Sequence, residues 1–490
     1  MRRQVKMLAF DFGASSGRAI VGIYDGEKLA LEEVHRFTND PVDIGGSLHW
    51  DTLRLFHELK QGILKCVNKG HGDLSSIAVD TWGVDFGLLD EQGNLLGNPY
   101  HYRDSNTDGM MEEVFKIIPA RELYLKTGIQ FMKLNTIFQL FSMKYRNLPA
   151  FKEAKTMLLT PDLFNYFLTG VKAAEYSIAS TTQLLDPATG EWSDEIIAKL
   201  GLPRSIFPGI VHPGTIIGRL SPGIAAELGI GEIPVIAAAS HDTQSAIASV
   251  PATGEDFVYI SCGTWSLMGI ESDNPIVDDR SFNNAFTNEG GVGNKITFLK
   301  NIMGLWLVQE CKRHWEREGD NLSFAGLEAM AGQAKPFQAF IDPDHSSFIS
   351  PGDMPARIRE YCRNTGQTAP ESKGDIIRCI TQSLAMKYRM TIESLEKIKD
   401  RSFTVIHMVG GGIKDRLMCR LTADATGRKV IAGPMEATSI GNIMIQAMAL
   451  GEINNLQELR RVVKDSFPIT EYEPAGTEEW TEAYNRFKKL

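Results

Sequence analysis

Apolar residues come in short blocks over the first forty positions. Val5–Phe12, Arg18–Tyr24 and Ala30–Phe37 are parted by turn-forming residues, which predicts three strands, with Asp25-Gly26 turning the last two into a hairpin. From Trp50 to about Asn68 the period changes. Leu53, Phe56, Leu59, Ile63 and Leu64 share one face, as in an amphipathic helix. Ile77–Asp90 reads as strand, glycine-bearing loop and strand, and Asp90-Glu-Gln-Gly93-Asn closes another hairpin. The pattern from Thr107 to Gly170 is mostly helical, including Thr136–Tyr145 and Thr160–Leu168, whereas the proline-rich stretch Thr169–Gly231 reads as an elaborated surface layer. Ile233–Ser240 is a short strand, followed by a helical pattern over Gln244–Val250.

A new strand and turn begin directly after Pro251-Ala-Thr-Gly254-Glu255, which makes this stretch the expected boundary between two domains, 1–250 and 251–490. The second half echoes the first. Strand-turn segments fall over 257–270, helical patterns near 303–316 and 374–397, a strand over 403–409, and a helix starts near Thr438. No short tandem repeat occurs, so the expected repeat is a duplication of whole domains with little shared sequence.

Three of the strands run into turns of small residues. The first gives Asp11-Phe-Gly13-Ala14-Ser15-Ser16-Gly17-Arg18, whose backbone N–H groups and hydroxyls can wrap a phosphate. Asp11, at the strand's end, is placed to reach a Mg²⁺ ion on that phosphate. The same segment also fits a plain hairpin turn with Arg18 solvated. Val258-Tyr-Ile-Ser261-Cys-Gly263-Thr264 and His407-Met-Val-Gly410-Gly411-Gly412 repeat the logic, which predicts one nucleotide held between two similar halves. A glycine triplet lets backbone approach a flat ring closely, and in isolation it serves equally well as a helix cap. Phosphoryl transfer to an alcohol also needs a base. Ser240-His241-Asp242-Thr243 supplies the candidate, with Asp242 between an apolar strand and a helix start. An aspartate there also reads as an N-cap, worth ~1 kcal/mol, and the two roles are compatible. His241 reads as a hydrogen-bonder to substrate or a core histidine rather than a metal ligand.

Composition narrows the partners. The 490 residues are 43% hydrophobic and 23% charged, ordinary for a globular chain with an ample core. A formal charge of −10 without a Lys/Arg block argues against nucleic acid, so an anionic substrate must be met by local backbone donors. The six cysteines show neither Cys-x-x-Cys nor metal-like spacing, and are expected as reduced thiols in the cytoplasm. Met1-Arg2-Arg3 resembles the start of a signal peptide, but Asp11 interrupts the apolar run, and no segment reaches the ~20 apolar residues of a membrane span.

Neither a G-x-x-x-x-G-K-[ST] loop nor a G-x-G-x-x-G after a strand occurs, so P-loop and dinucleotide Rossmann folds are unsupported. The three turns resemble those of the duplicated actin, sugar-kinase and heat-shock ATPase fold. That implies an α/β, two-lobed, duplicated actin-like (ribonuclease H-like) architecture with mixed sheets flanked by helices. Asp11–Arg18, Val79–Phe86, Ser240–Thr243, Gly263–Gly269, Lys300–Trp306 and Val409–Gly412 make the likeness specific: over nearly its whole length the chain resembles the FGGY family of carbohydrate kinases. The string Val79-Asp-Thr-Trp-Gly-Val-Asp-Phe86 differs from the corresponding segments of glycerol and xylulose kinases. It is similar to that of members acting on the 1-hydroxyl of L-rhamnulose, in L-rhamnose catabolism.

The resemblance implies ATP and Mg²⁺, with a small-molecule ketose as the other partner. It implies Asp242 as proton acceptor, and Gly83, His241, Asp242, Thr243 and Asn301 around the sugar. Ala14, Ser15, Ser16, Gly17, Arg18, Thr264, Gln309, Gly410, Gly411 and Gly412 would serve the nucleotide. The chain departs from the family in one respect: an asparagine commonly follows the triplet, whereas here Ile413-Lys414-Asp415 does, and Asp415 keeps an acceptor while losing the amide donors. Trp82, Trp265 and Trp306 can stack on sugar or adenine, or pack internally. Two alternatives stand beside this reading: a kinase for another ketose such as L-fuculose, an epimer of L-rhamnulose, and an actin-like nucleotide-driven clamp, which needs no sugar-facing base. The sequence does not specify the oligomeric state.

Overall fold

β1 (Val5–Phe12) is buried along almost its whole length, because it is a central strand covered on both faces. Its continuous apolar run, broken only by Lys6 and Asp11, follows from that position. The computed structural model of the chain describes residues 4–254 and 256–490; Met1-Arg2-Arg3 and Glu255, the last residue of the expected boundary, lie outside them. The chain groups into two units. One holds the residues up to Ser249 with Glu271–Phe298 and Ala437–Ser466, and the other holds Val250–Ile270, Leu299–Glu436 and Phe467–Leu490.

In the first unit β1 is joined by β2 (Ser16–Tyr24), β3 (Leu29–Thr38), β4 (Ser76–Thr81), β5 (Ile216–Arg219) and β6 (Pro234–Ile236), in the sheet order β5-β6-β4-β1-β2-β3. β1 runs antiparallel to β2 and parallel to β4, in a register that sets Asp11 opposite Asp80. β4 and β6 are also parallel. The helix Thr52–Asn68 is capped by Asp51, which accepts from the Arg54 N–H. Its buried stripe is Leu55, Leu59, Ile63 and Cys66; Leu53, expected on that face, is 65% exposed. The stripe is turned part of the way round the helix, because Leu55 and Cys66, rather than Leu53 and Leu64, join Leu59 and Ile63 in meeting the core.

The helix Thr160–Thr169 forms where its pattern predicts and ends at left-handed Gly170. Just before it, Thr156–Leu159 is a strand antiparallel to Phe86–Leu89, not the helix expected there. A four-residue apolar segment carries no period with which to tell the two apart. The helix Ala437–Ala449 packs on the first strand of its unit: Gln446 Nε2 donates to the Leu8 carbonyl at 3.2 Å and its Oε1 accepts from Ser76 Oγ at 2.7 Å.

In the second unit β7 (Phe257–Cys262), β8 (Trp265–Ser272), β9 (Val405–Val409), β10 (Lys429–Ala432) and β11 (Thr470–Tyr472) follow the order β11-β10-β9-β7-β8. The order and the strand senses match β5-β6-β4-β1-β2. In each unit a hairpin strand has parallel strands on its other side, ending in an antiparallel one. The duplication expected from the three turns is therefore present as topology. Behind this sheet runs a helix over Lys373–Lys399, started by a Ser372/Asp375 capping box. All six cysteines are free and buried. Among the described residues no helix is long and apolar enough to cross a membrane.

Candidate active site

In the first unit the chemistry-bearing side chains collect at the carboxyl ends of the parallel strands β1, β4 and β6, where open α/β sheets bind ligands. Asp11 and Asp80 end neighbouring strands. The chain leaving β6 stays in line beside β4, because the Thr81 N–H donates to the Ser240 carbonyl at 2.9 Å and Thr81 bridges to His241. The turn after β1 closes through Gly13 N–H to the Ser16 carbonyl at 2.9 Å and is braced by Asn39, whose Nδ2 donates to the Gly13 carbonyl at 2.8 Å. Ser15 is exposed, Ala14 and Ser16 are half-buried, and Gly17 is buried against the Phe37 ring. Arg18 does not simply face solvent: its Nη2 donates to Asp11 Oδ2 at 2.5 Å, where Ser439 Oγ donates as well at 3.2 Å.

Asp80 is buried, bonded through Oδ2 to Asn442 Nδ2 at 2.6 Å, while its Oδ1 has no hydrogen-bond partner among the described residues. Burial, then the neighbouring Asp11 charge, push its carboxyl well above the ordinary range.

Asp242, expected as the base, also read as the N-cap of the helix it precedes. The N-cap of Asp242–Ala248 is instead His241, whose side chain makes no capping bond, and Asp242 is the first helical residue. The reason is the bridge from Thr81, which holds residue 241 in extended conformation as the cap, so that the helix starts one position earlier than a cap at Asp242 would set. Among the described residues Asp242 Oδ1 accepts from its neighbour Thr243 alone, from the backbone N–H at 2.6 Å and from Oγ1 at 3.2 Å. Its side chain stays 30% exposed, so a substrate hydroxyl can reach it. Burial raises its pKa to about 6, with His241 pulling down and Asp11 pushing up. Thr243 is buried.

His241 is buried between two carboxylates. Glu289 Oε2 stands 3.1 Å from Nδ1, and Asp242 Oδ1 stands 3.6 Å from Nε2. Nδ1 is off the line of a straight hydrogen bond to Glu289, so the contact is one of charge. Burial alone would depress this imidazole, but the charges of Glu289, Asp242 and Glu175 raise it above its ordinary value. The backbone here is held from behind: Ser240 N–H donates to Glu175 Oε2 at 3.0 Å and His241 N–H to Ser177 Oγ at 3.2 Å.

Gly83 faces this histidine, since a Cβ built on it would lie 3.5 Å from Nε2. The next residue, Val84, has a φ of 70°, a left-handed conformation that a β-branched residue adopts only when held there. Thr181 Oγ1 accepts its N–H at 3.2 Å and Thr136 Oγ1 donates to its carbonyl at 2.6 Å. Asp85, fully enclosed, accepts from Trp50 Nε1 at 2.6 Å, Trp82 Nε1 at 2.9 Å and Gln139 Nε2 at 2.9 Å. Burial raises its carboxyl to about 7 in spite of these donors. Trp82 is thus committed inward, its ring 4.1 Å from that of Trp50.

The second unit gathers the remaining candidates around the β7–β8 turn. Thr264 Oγ1 donates to Gln309 Oε1 at 3.3 Å, and the Leu305 and Trp306 N–H groups donate to the Gly263 and Thr264 carbonyls. In the triplet, Gly410 has a φ of 91°. Gly411 is exposed with open space where a Cβ would stand, whereas a Cβ on Gly412 would meet the Cys262 carbonyl at 2.7 Å. Gly412 thus lets the loop lie on the turn; Gly411 alone offers bare backbone outward. Asp415 caps the helix Arg416–Thr426, accepting from the Met418 N–H at 2.8 Å, and burial raises it to about 6. Its acceptor is spent on the cap. Asn301 is half-buried on the strand Ile296–Met303. Trp306 packs internally, donating from Nε1 to the Phe348 carbonyl at 3.0 Å, and Trp265 is half-buried.

Among the described residues no three His, Cys, Asp or Glu side chains are arranged to hold a metal ion by themselves. Asp80, Glu175 and Glu289 were not singled out from sequence. Asp85, expected with Trp82–Val84 among the groups reading the sugar, is instead held by Trp50, Trp82 and Gln139. Asp80 lies inside the string Val79–Phe86, whose acidic content was the available signal. Glu175 and Glu289 lie in no motif.

Residues 6–248 match the FGGY family of carbohydrate kinases, N-terminal domain, and residues 258–450 match its C-terminal domain. The chain is 44% identical to a rhamnulokinase of Bacteroides thetaiotaomicron over 98% of both chains. It is 43% identical to one of Oceanobacillus iheyensis, over 95% of this chain and 97% of the other. In fold it is similar to a xylulose kinase of Lactobacillus acidophilus (TM-score 0.81, 16% identity, 99% of this chain and 97% of that one). A Plasmodium falciparum glycerol kinase solved with ADP gives a TM-score of 0.78 at 15% identity, covering 99% and 98%.

Proposed function

The chain belongs to the FGGY family of carbohydrate kinases, and we propose that it transfers the γ-phosphoryl group of ATP to the 1-hydroxyl of L-rhamnulose. The product is L-rhamnulose 1-phosphate, an intermediate of L-rhamnose catabolism, and the reaction belongs in the cytoplasm. The clamp alternative, entertained on fold alone, gives way to a carbohydrate kinase.

The observation that carries the reading is Asp242: a reachable carboxylate, free of capping duty, beside a histidine that favours its ionised form. In the reaction the sugar's O1 attacks the γ-phosphorus as Asp242 accepts the O1 proton, and the bond between the γ-phosphorus and the bridging oxygen of ADP breaks. His241 and Thr243 orient the hydroxyls from either side of that carboxylate. The backbone around Gly13–Ser16, and separately around Gly263–Thr264, offers N–H donors for phosphate oxygens. Asp11 suits the Mg²⁺ of MgATP, with Asp80 and its unpartnered buried oxygen beside it. Such an ion neutralises phosphate charge, and a site this sparse in ligands fits one completed by phosphate oxygens and water.

The test is a panel of 6-deoxyketoses with coupled ADP detection. L-Rhamnulose is expected to raise ADP release sharply over ATP alone. A site that pairs each hydroxyl leaves a buried group unmatched when one stereocentre is inverted, at about 1–3 kcal/mol. L-Fuculose should then be poorer by roughly 5- to 150-fold in kcat/KM, and glycerol poorer still. Equal or better turnover of L-fuculose overturns the substrate, and ADP release indifferent to every sugar overturns the kinase.

A further inference from the structure

We propose that Glu289 is a positioning residue for this reaction: through His241 it presents an Nε2–H to a sugar hydroxyl and keeps Asp242 ready to accept the proton. The inference rests on the ketose-kinase reading. It goes beyond it by assigning work to a residue 48 positions away from His241, on the strand Thr287–Gly290.

Glu289 is buried, and its carboxylate is fixed on both sides. Gln244 Nε2 donates to Oε2 at 3.1 Å, and Thr297 Oγ1 orients that amide by donating to Gln244 Oε1 at 3.0 Å. Thr297 Oγ1 also lies 3.2 Å from the Glu289 carbonyl. Oε2 also faces His241 Nδ1, at 3.1 Å. A carboxylate there favours the imidazole that carries protons on both nitrogens. Nε2, the other end of that ring, points to the space left by Gly83 and to Asp242 Oδ1. A fully protonated ring donates from Nε2 to an oxygen lone pair, whether of a sugar hydroxyl or of Asp242, and its positive charge offsets the burial and the Asp11 charge that hold a proton on Asp242. Without Glu289 the buried ring would hold a single proton, shared between two tautomers, and Nε2 would no longer be held as a donor.

The pH consequence has a definite sign. The groups facing His241 are Glu289 from the strand, Asp242 from its own helix and Glu175 from ahead of the helix Tyr176–Ser180; Asp242 in turn faces Asp11 and Asp80. The working cation is lost as pH rises through the histidine's raised pKa, which sets the alkaline limb of kcat/KM. Removing the Glu289 charge lowers that pKa, so the limb moves to lower pH.

Glu289→Gln in the full chain is expected to raise KM for L-rhamnulose by roughly 5- to 150-fold, the cost of one mismatched buried hydrogen bond. It should leave KM for ATP unchanged and shift the alkaline limb by about one pH unit, and Glu289→Asp should restore part of both. A merely structural role would lower the melting temperature without moving the limb. Unchanged KM and limb in the Gln variant overturn the proposal. A second measurement uses the unaltered protein: ¹⁵N imidazole shifts, with the His241 signal assigned by its loss in His241→Gln. Both nitrogens protonated at neutral pH is the expected result, and a singly protonated ring overturns the proposal even if the Gln variant fails to fold. Wild-type ADP release that ignores L-rhamnulose overturns the substrate reading instead, and the imidazole spectrum then decides the part of Glu289.

Discussion

Asp242 and Asp415 each stand after a strand and at the mouth of a helix, and burial lifts both to about 6. Their duties differ. Asp415 accepts from the Met418 N–H as a true N-cap, while Asp242, one residue inside its helix, accepts only from Thr243. A carboxylate without capping duty can exchange a proton without loosening the fold. Asp242→Asn should therefore lower kcat by ~10²–10⁴-fold, the span of a general base, with little change in ATP affinity or melting temperature. Wild-type turnover in that variant would remove the base from this residue. The raised pKa also places the acid limb of kcat/KM. Asp242 keeps its proton up to about 6, a protonated carboxyl cannot accept another, and activity should fall with unit slope as pH drops through that value. A profile flat down to pH 4.5 would contradict the assignment.

At the scale of elements, the loop Trp82–Asp85 is held open by its buried partners. Asp85→Ala would leave the indole N–H groups of Trp50 and Trp82 and the Gln139 amide facing a void. Unmatched buried donors cost about 1–3 kcal/mol each and do not add fully, so a loss of about 2–5 kcal/mol is expected in urea unfolding. A loss under about 0.5 kcal/mol would show that water replaces the carboxylate.

This loop also marks how far sequence reasoning reached. β1, its turn, the helix Thr160–Thr169 and the strand into His241 were legible because period and punctuation are local properties. Three features were not. Thr156–Leu159 is a strand only because Phe86–Leu89 lies beside it; Leu53 faces out because the core meets its helix on the side of Leu55 and Cys66; and the helix starts as early as 242 because Thr81 pairs with His241. Glu289 meets His241 across 48 residues with no motif to announce it. Each depends on a partner distant in the chain, and such information is carried by packing rather than by spacing.

For the whole molecule, the two units repeat one strand order, yet the chain does not visit them in turn. Ala437–Ala449 returns to the first unit, where Ser439 bonds Asp11, Asn442 bonds Asp80, and Gly441 lies so close to the helix of Asp242 that a Cβ on it would sit 1.8 Å from the Ser245 carbonyl. Gly441→Ala must push those helices apart. It should cost about 1–3 kcal/mol or more of stability and lower kcat, because Asp242 rides on the displaced helix; an unchanged urea midpoint and kcat would show that the contact relaxes freely.

This return has a consequence for synthesis. Asp11 leaves the ribosome 428 residues before its partner Ser439. At ~5–20 residues per second the interval is on the order of 20–90 s. Through that time β1 and β4 are complete while the helix that satisfies the Leu8 carbonyl and the Asp80 carboxylate does not yet exist. The nascent first unit must wait with those groups solvated or chaperoned, and it can acquire its finished phosphoryl-transfer chemistry only after Ala437–Ala449 has been synthesised.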